Sequence, residues 1–184
     1  MFKAGTVFNE YKSPRKSKLV YGTVTIDFPT RLNAMSIDTS AIATNDNNMS
    51  FPAGEVLASI KKFVKVKTKY LGNKNGNLII GENTKRKALV NHAYLLMCQA
   101  LDNSPSLSID VNDDEVLKHC GLGSSGATIS AVCSSINELY GKPIKNLDLI
   151  SYIANNYGEE VQDNDKDNLK LVQCIGGSVA STFR

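Results

Sequence analysis

The sequence predicts an α+β fold in which a mixed, largely antiparallel sheet packs on helices. Three observations carry this. Residues 61–70 alternate apolar and charged side chains with the period of a strand. Stretches beginning near Thr84, Ser124 and Leu147 repeat apolar residues with the period of a helix. Strands and helices then mix without the regular alternation that a doubly wound parallel sheet requires.

Taken in order, residues 1–18 form a polar, basic N-terminal segment, with Lys12, Arg15, Lys16 and Lys18 around Pro14. Residues 19–184 read as one domain. Val20, Val24, Ile26 and Phe28 among small polar residues suit a strand that Pro29 closes. Residues 33–54 are rich in Ser, Thr and Asn, with Asp46-Asn47-Asn48 and Pro52-Ala53-Gly54 as turn signals. A polar loop of that length is uncommon in a compact domain unless it serves function or contains short strands. From Lys61 to Tyr70, Val64, Val66 and Tyr70 fall on one face and Lys65, Lys67 and Lys69 on the other. The plain meaning is a half-buried strand whose solvated lysines discourage edge pairing; a surface for phosphate or nucleic acid is the alternative. Asn73-Lys74-Asn75-Gly76 makes a hairpin-like turn before Leu78-Ile79-Ile80.

Thr84–Leu101 is a helix with Leu89, Ala93, Leu96 and Ala100 on one stripe, and His92 beside it reads as structural. Leu107, Ile109 and Val111 alternate as a strand. Ser124–Tyr140 is a helix, apolar at Ile129, Val132, Cys133, Ile136 and Tyr140 and stopped by Gly141. Leu147–Tyr157 is another, opened by Asn146 as cap and closed by Gly158. Asn168–Phe183 is a strand-like or turn-like run around Gly176-Gly177.

Composition narrows the function classes. A net charge of +3 over 184 residues gives no reason to expect nucleic acid or an anionic membrane as partner. Cys98, Cys120, Cys133 and Cys174 stand far apart, which speaks against a zinc site or a disulfide scaffold and for reduced thiols. No apolar run reaches the ~20 residues that span a bilayer, and Met1-Phe2-Lys3-Ala4-Gly5 lacks a signal-peptide core. A cytoplasmic protein is expected.

The informative segment is Cys120-Gly121-Leu122-Gly123-Ser124-Ser125-Gly126-Ala127 at the start of a helix. Glycines there permit positive φ and close backbone approach. The first helical turn offers unpaired N–H groups and the positive end of the helix dipole. A phosphate chain is the natural ligand. The serines add hydroxyls, one of which can ligate a Mg²⁺ that bridges phosphate oxygens. The loop is not a Walker A sequence, since no Gly-Lys-Ser/Thr follows. Gly121, Gly123 and Gly126 fit the dinucleotide spacing, but no βαβ unit surrounds them. Ordinary Ser/Gly capping of a helix is the alternative meaning.

At these residues the chain resembles the GHMP kinase superfamily, which includes galactokinase, homoserine kinase, mevalonate kinase and phosphomevalonate kinase. The second motif of that superfamily reads like P-x-x-x-G-L-G-S-S-A-A. Here Gly121-Leu122-Gly123-Ser124-Ser125-Gly126-Ala127 matches it, without the upstream proline. Pro29-Thr30-Arg31-Leu32-Asn33 looks like the opening P-G-R-V-N motif, with Thr30 in place of the glycine. Asp167-Asn168 followed by Gly176-Gly177 is similar to a D-N…G-G segment of homoserine and mevalonate kinases.

The resemblance implies ATP-dependent phosphoryl transfer to a hydroxyl of a small molecule, with ATP and Mg²⁺ as cofactors. Residues Gly121, Leu122, Gly123, Ser124, Ser125, Gly126 and Ala127 would hold the nucleotide phosphates. Arg31 would stabilise charge on the transferring group, and Asp167 would act as base or orient the acceptor. Ser125 and Glu159 are the expected metal ligands, with Glu160 as the neighbouring alternative to Glu159. Asp163 and Asp165 read as solvated charges. Superfamily members are longer and carry a third glycine-rich motif in a C-terminal domain. The expectation is therefore an N-terminal ATP-binding domain with the C-terminal domain absent, completed by that domain or by a complementary subunit and compatible with a homodimer.

A second relative, the β-ribofuranosylaminobenzene 5′-phosphate synthases, shares that fold and transfers phosphoribosyl groups. Its signature resembles P-x-R-L-H-x-x-x-I-D, and Pro29, Arg31, Leu32, Ile37 and Asp38 keep the spacing while Asn33 replaces the histidine. Glu138-Leu139-Tyr140-Gly141 also matches its E-L-Y-G. A non-catalytic nucleotide-binding domain is the third reading.

Overall fold

A computed structural model describes residues 1–14, 17–37, 54–72, 76–114, 122–160, 167–172 and 177–180. A short strand β1 (Phe2–Lys3) opens the chain and is followed by two long strands, β2 (Thr23–Ile37) and β3 (Gly54–Gly72). Next come β4 (Leu78–Ile80), helix α1 (Lys87–Ala100) and β5 (Ser106–Asn112). Helices α2 (Ser124–Leu139) and α3 (Asn146–Asn155) lead to β6 (Gly158–Glu160), β7 (Asn168–Leu171) and the short α4 (Gly177–Ala180). The class is α+β, as the mixed periodicities predict.

The main sheet has the order β2-β3-β5-β4, antiparallel except for the parallel pair β4–β5. A second sheet runs β1-β7-β6. The alternation at residues 61–70 acts as expected: Val64, Val66 and Thr68 are fully buried, whereas Lys65, Lys67 and Lys69 are exposed. Across the ladder, Val66 pairs with Val111 and Thr68 with Ile109, so β3 and β5 present one continuous apolar face. Helices α1 and α2 cover it, and their Leu96, Met97, Val132 and Ile136 share its core. In α2 only Ser125, Ser134 and Glu138 escape burial. Its Ser, Gly and Ala residues are small because a helix enclosed this completely must approach its neighbours closely. Buried Thr68 and Ser135, 2.6 Å apart at their hydroxyls, join sheet to helix.

Several local expectations are corrected. Pro29 does not end β2; the strand continues to Ile37, with a register shift between Pro29 and Thr30. An edge strand tolerates proline beside such an irregularity because one backbone side needs no ladder partner. Residues 33–37 belong to β2, so the polar segment does contain strand, while 38–53, Asp38 included, lie outside the described residues. The lysine-faced β3 is central rather than an edge, so its lysines cover the open face of the sheet. Leu78–Ile80 does not fold back on β3. It pairs in parallel with β5, which inserts between them. Asn146 stands inside α3, with Lys145 at the cap position.

His92 is fully buried and has two partners that helical periodicity cannot reveal. Its Nδ1 accepts from the Gly5 N–H at 2.9 Å, and Nε2 lies 2.7 Å from the Asn156 carbonyl. Those roles place the proton on Nε2. Asn156 also receives the N–H groups of Phe8 and Asn9 on its Oδ1, at 2.7 and 3.0 Å. The N-terminal segment is thus tied to the body by β1, His92 and Asn156. Its polar composition gives no hint of this, because the ties are made by backbone groups. Among the described residues no helix is long and apolar enough to cross a membrane.

Candidate phosphate-binding site

Helix α2 begins at Ser124, with Gly123 as its cap in the left-handed region at φ 61° and ψ 31°. A residue with a Cβ is disfavoured there on two counts. The backbone conformation disfavours it, and an added Cβ would lie 2.7 Å from Arg31 Cγ and 2.8 Å from Arg31 Nε. As a glycine, the cap has no side chain to bond the first-turn N–H groups, and no acidic residue stands in that turn. The first intrahelical bond, from the Ala127 N–H to the Gly123 carbonyl at 2.9 Å, leaves the N–H groups of Ser124, Ser125 and Gly126 outside the α-helical ladder. They and the helix dipole supply positive potential to one spot.

Strand β2 delivers Arg31 to that spot. Its N–H donates to the Leu122 carbonyl at 3.1 Å, and its side chain packs on Gly123. The Pro29/Thr30 shift immediately precedes it. Of the sequence-derived nucleotide set, Leu122, Gly123, Ser124, Ser125, Gly126 and Ala127 are described and form the loop and first turn. Gly121 lies outside the described residues, as do Cys120, Asp163, Asp165 and Gly176.

A second guanidinium, unanticipated from the sequence, reaches the same turn. Arg86 caps α1, and its Nη1 donates to Ser125 Oγ at 2.7 Å while Nη2 donates to Ser124 Oγ at 2.6 Å. Its Nε stands 3.6 Å from Asp113 Oδ2, an ion pair longer than a hydrogen bond. Arg86 is only 7% exposed and Asp113 4%. Lys85 flanks the pair, 3.4 Å from Asp113 and 2.8 Å from Asp114. The Asp114 hydrogen bond, aided by the Asp113 charge, holds the Lys85 pKa above its ordinary value; the same bond holds the Asp114 carboxyl below its own.

The signal for this cluster was in the sequence. Lys85-Arg86-Lys87 puts three cations at a helix N-terminus, where the dipole disfavours positive charge. Such a run needs acidic partners, and Asp113-Asp114 after β5 provide them.

The remaining expected residues sit on the second sheet. Asp167 is exposed just before β7, and its carbonyl accepts from the Ala4 N–H at 2.6 Å. Glu159, on β6, receives the Tyr157 hydroxyl at 3.5 Å. Glu160 follows it on the same strand. The structure thus brings Arg31 and Arg86 to the loop. Among the described residues no bond joins Ser125 to Glu159, and no group of three or more His, Cys, Asp or Glu could hold a metal ion.

Residues 88–168 match the family described as GHMP kinases N terminal domain. None of the curated proteins matches the sequence. Among solved structures, the chain is similar to the phosphomevalonate kinase of Streptococcus pneumoniae, with a TM-score of 0.56 at 17% identity over 72% of this chain and 39% of that one. It is similar to the Methanococcus jannaschii mevalonate kinase, with a TM-score of 0.52 at 13% identity over 70% of this chain and 44% of that one. For the homoserine kinase of Cytophaga hutchinsonii the TM-score is 0.50 at 18% identity, over 84% of this chain and 53% of that one. These likenesses concern the fold. The chain spans about two fifths to one half of the length of these proteins.

Proposed function

We propose that the chain, whose residues 88–168 match the GHMP kinases N terminal domain, is the nucleotide-binding part of an ATP-dependent small-molecule kinase. One observation supports this above the others. The first turn of α2, capped by Gly123 with positive φ, holds no acidic residue and opens where two guanidiniums converge, one of them paired behind with Asp113. Backbone N–H groups, a helix dipole and arginines together suit the β- and γ-phosphates of ATP.

In the reaction proposed, the acceptor hydroxyl attacks the γ-phosphorus in line. A new phosphorus–oxygen bond forms, the bond to the ADP oxygen breaks, and the hydroxyl proton leaves to a base. Such transfer depends mainly on positioning and charge stabilisation. Arg31 would stabilise the charge on the transferring group, and Asp167 is the proposed base or acceptor-orienting group. The acceptor class and the C-terminal domain or complementary subunit that would complete the active site belong to this proposal as well. The phosphoribosyl-transfer alternative would use the same anion site for a ribose diphosphate.

Magnesium would travel with the nucleotide on its phosphate oxygens. The expected protein ligands do not fit it well: Ser125 already accepts a hydrogen bond from a cation, and Glu159 faces Tyr157. Arg31→Ala tests the proposal. It should lower phosphoryl transfer by the completed enzyme at least about a hundredfold, the scale of losing one preorganised charge-stabilising group. An Arg31→Ala enzyme with unchanged kcat would refute that role.

A further inference from the structure

We propose that Arg86 is the fixed cation of this loop, standing where a kinase of this shape would otherwise lodge a divalent metal against its serines. In that arrangement Ser124 and Ser125 serve as hydrogen-bond donors to phosphate and not as metal ligands. The inference rests on the reading of the loop as a phosphate site.

A guanidinium has donors only. Both serine oxygens therefore accept from Arg86, at 2.6 and 2.7 Å, and each serine keeps its own proton to give to a third group. A Mg²⁺ on Ser125 Oγ, at the usual ~2.1 Å, would lie within about 5 Å of Nη1. That places three positive charges together at the positive end of α2, with Asp113 the one carboxylate paired to Arg86 among the described residues. The metal is the more easily dispensed with, because Arg86 is held by burial and by Asp113.

Arg86 is also under-used. Two of its five N–H groups bond the serines, and Nε faces Asp113 at 3.6 Å without a hydrogen bond, which leaves the second N–H of each terminal nitrogen. A side chain this buried, with donors to spare beside an anion site, suits a bidentate grip on phosphate oxygens.

The experiment measures ATP affinity of the full chain by calorimetry, once with Mg²⁺ and once with excess EDTA, for wild type, Arg86→Lys and Ser125→Ala. Wild type should bind in both buffers with constants within about threefold, since the protein contributes no metal ligand. Arg86→Lys keeps a charge opposite Asp113 but replaces the rigid planar fork that holds the two hydroxyls with a single flexible ammonium. It should bind about tenfold more weakly in EDTA, the scale of a lost charge-assisted bond, and Mg²⁺ should restore part of the loss.

Ser125 is only partly buried, so Ser125→Ala reads the same question where the arginine variant fails to fold. It should weaken binding equally in the two buffers. Wild-type binding that collapses in EDTA, or a Ser125→Ala defect confined to the Mg²⁺ buffer, overturns the Arg86 assignment and leaves the phosphate site standing. Absence of ATP binding by folded wild type in both buffers overturns the phosphate site itself, and the assignment with it.

Discussion

Gly123 and His92 show how differently single residues hold this molecule. Gly123 adopts φ 61° against the Arg31 side chain, so Gly123→Ala adds strain and a clash together. It should cost more than about 1 kcal/mol in urea unfolding and weaken ATP binding at least tenfold, because Arg31 and the first turn can no longer share the space. His92 acts through its proton. Burial pushes its pKa below 6.5, since charging the ring would cost desolvation, although the Asn156 carbonyl favours the charged form. The unfolded chain then takes up the proton more readily than the folded one. His92 thus contributes stability that is present above the unfolded pKa near 6.5 and lost as pH falls through the folded one. Denaturant unfolding at stepped pH should show stability declining below ~6.5, and His92→Gln should remove that component. A wild-type profile that rises on acidification through this window would contradict the assignment.

Among elements, legibility in the sequence followed the kind of information that each needed. Strand β3 was legible because one of its faces is buried, and such burial imprints a period on the residues; α2, enclosed almost all round, was legible instead from its spaced large apolar residues and the Gly141 stop. The extension of β2 past Pro29 was not legible, since proline stops a strand only where its missing N–H is needed. Nothing local reveals that β2 lies at an edge. The pairing of β4 with β5 was hidden for a similar reason: a turn signal fixes a reversal of the chain, and partner choice is a property of the whole sheet. The loop at residues 122–127 was legible as composition, yet Arg86 was not. Its role depends on α1 starting beside α2, a tertiary fact, although three cations at a helix N-terminus were a visible anomaly. The join between sheet and α2 offers a test at this scale. Ser135 donates to the Val132 carbonyl at 2.9 Å, which leaves its oxygen to accept from Thr68. Thr68→Val keeps shape and removes that donor, and it should lower the unfolding free energy by about 1 kcal/mol. An unchanged midpoint would mean that the pair contributes nothing.

For the whole molecule, the architecture assigns separate jobs to its two sheets. The main sheet and α1–α2 bring together Arg31, Gly123, Ser124, Ser125 and Arg86, the proposed anion site. The small sheet β1-β7-β6 carries Glu159 and lies next to Asp167, and it anchors on α1 through Leu169 packed with Ala88 and Leu89. Phosphate binding is therefore a property expected of these residues alone. The proposed phosphoryl transfer would further need Asp167, as the proposed base, to meet an acceptor, and the chain spans 39% of the pneumococcal phosphomevalonate kinase that it resembles in fold. The most direct measurement of the central claim is a thermal unfolding series on the full chain with ATP and, separately, with phosphoribosyl diphosphate. The account predicts a rise in Tm with ATP that grows with its concentration, as ligand linkage requires, and that Gly123→Ala abolishes. A Tm raised by phosphoribosyl diphosphate but indifferent to ATP, in a well-folded sample, would contradict it.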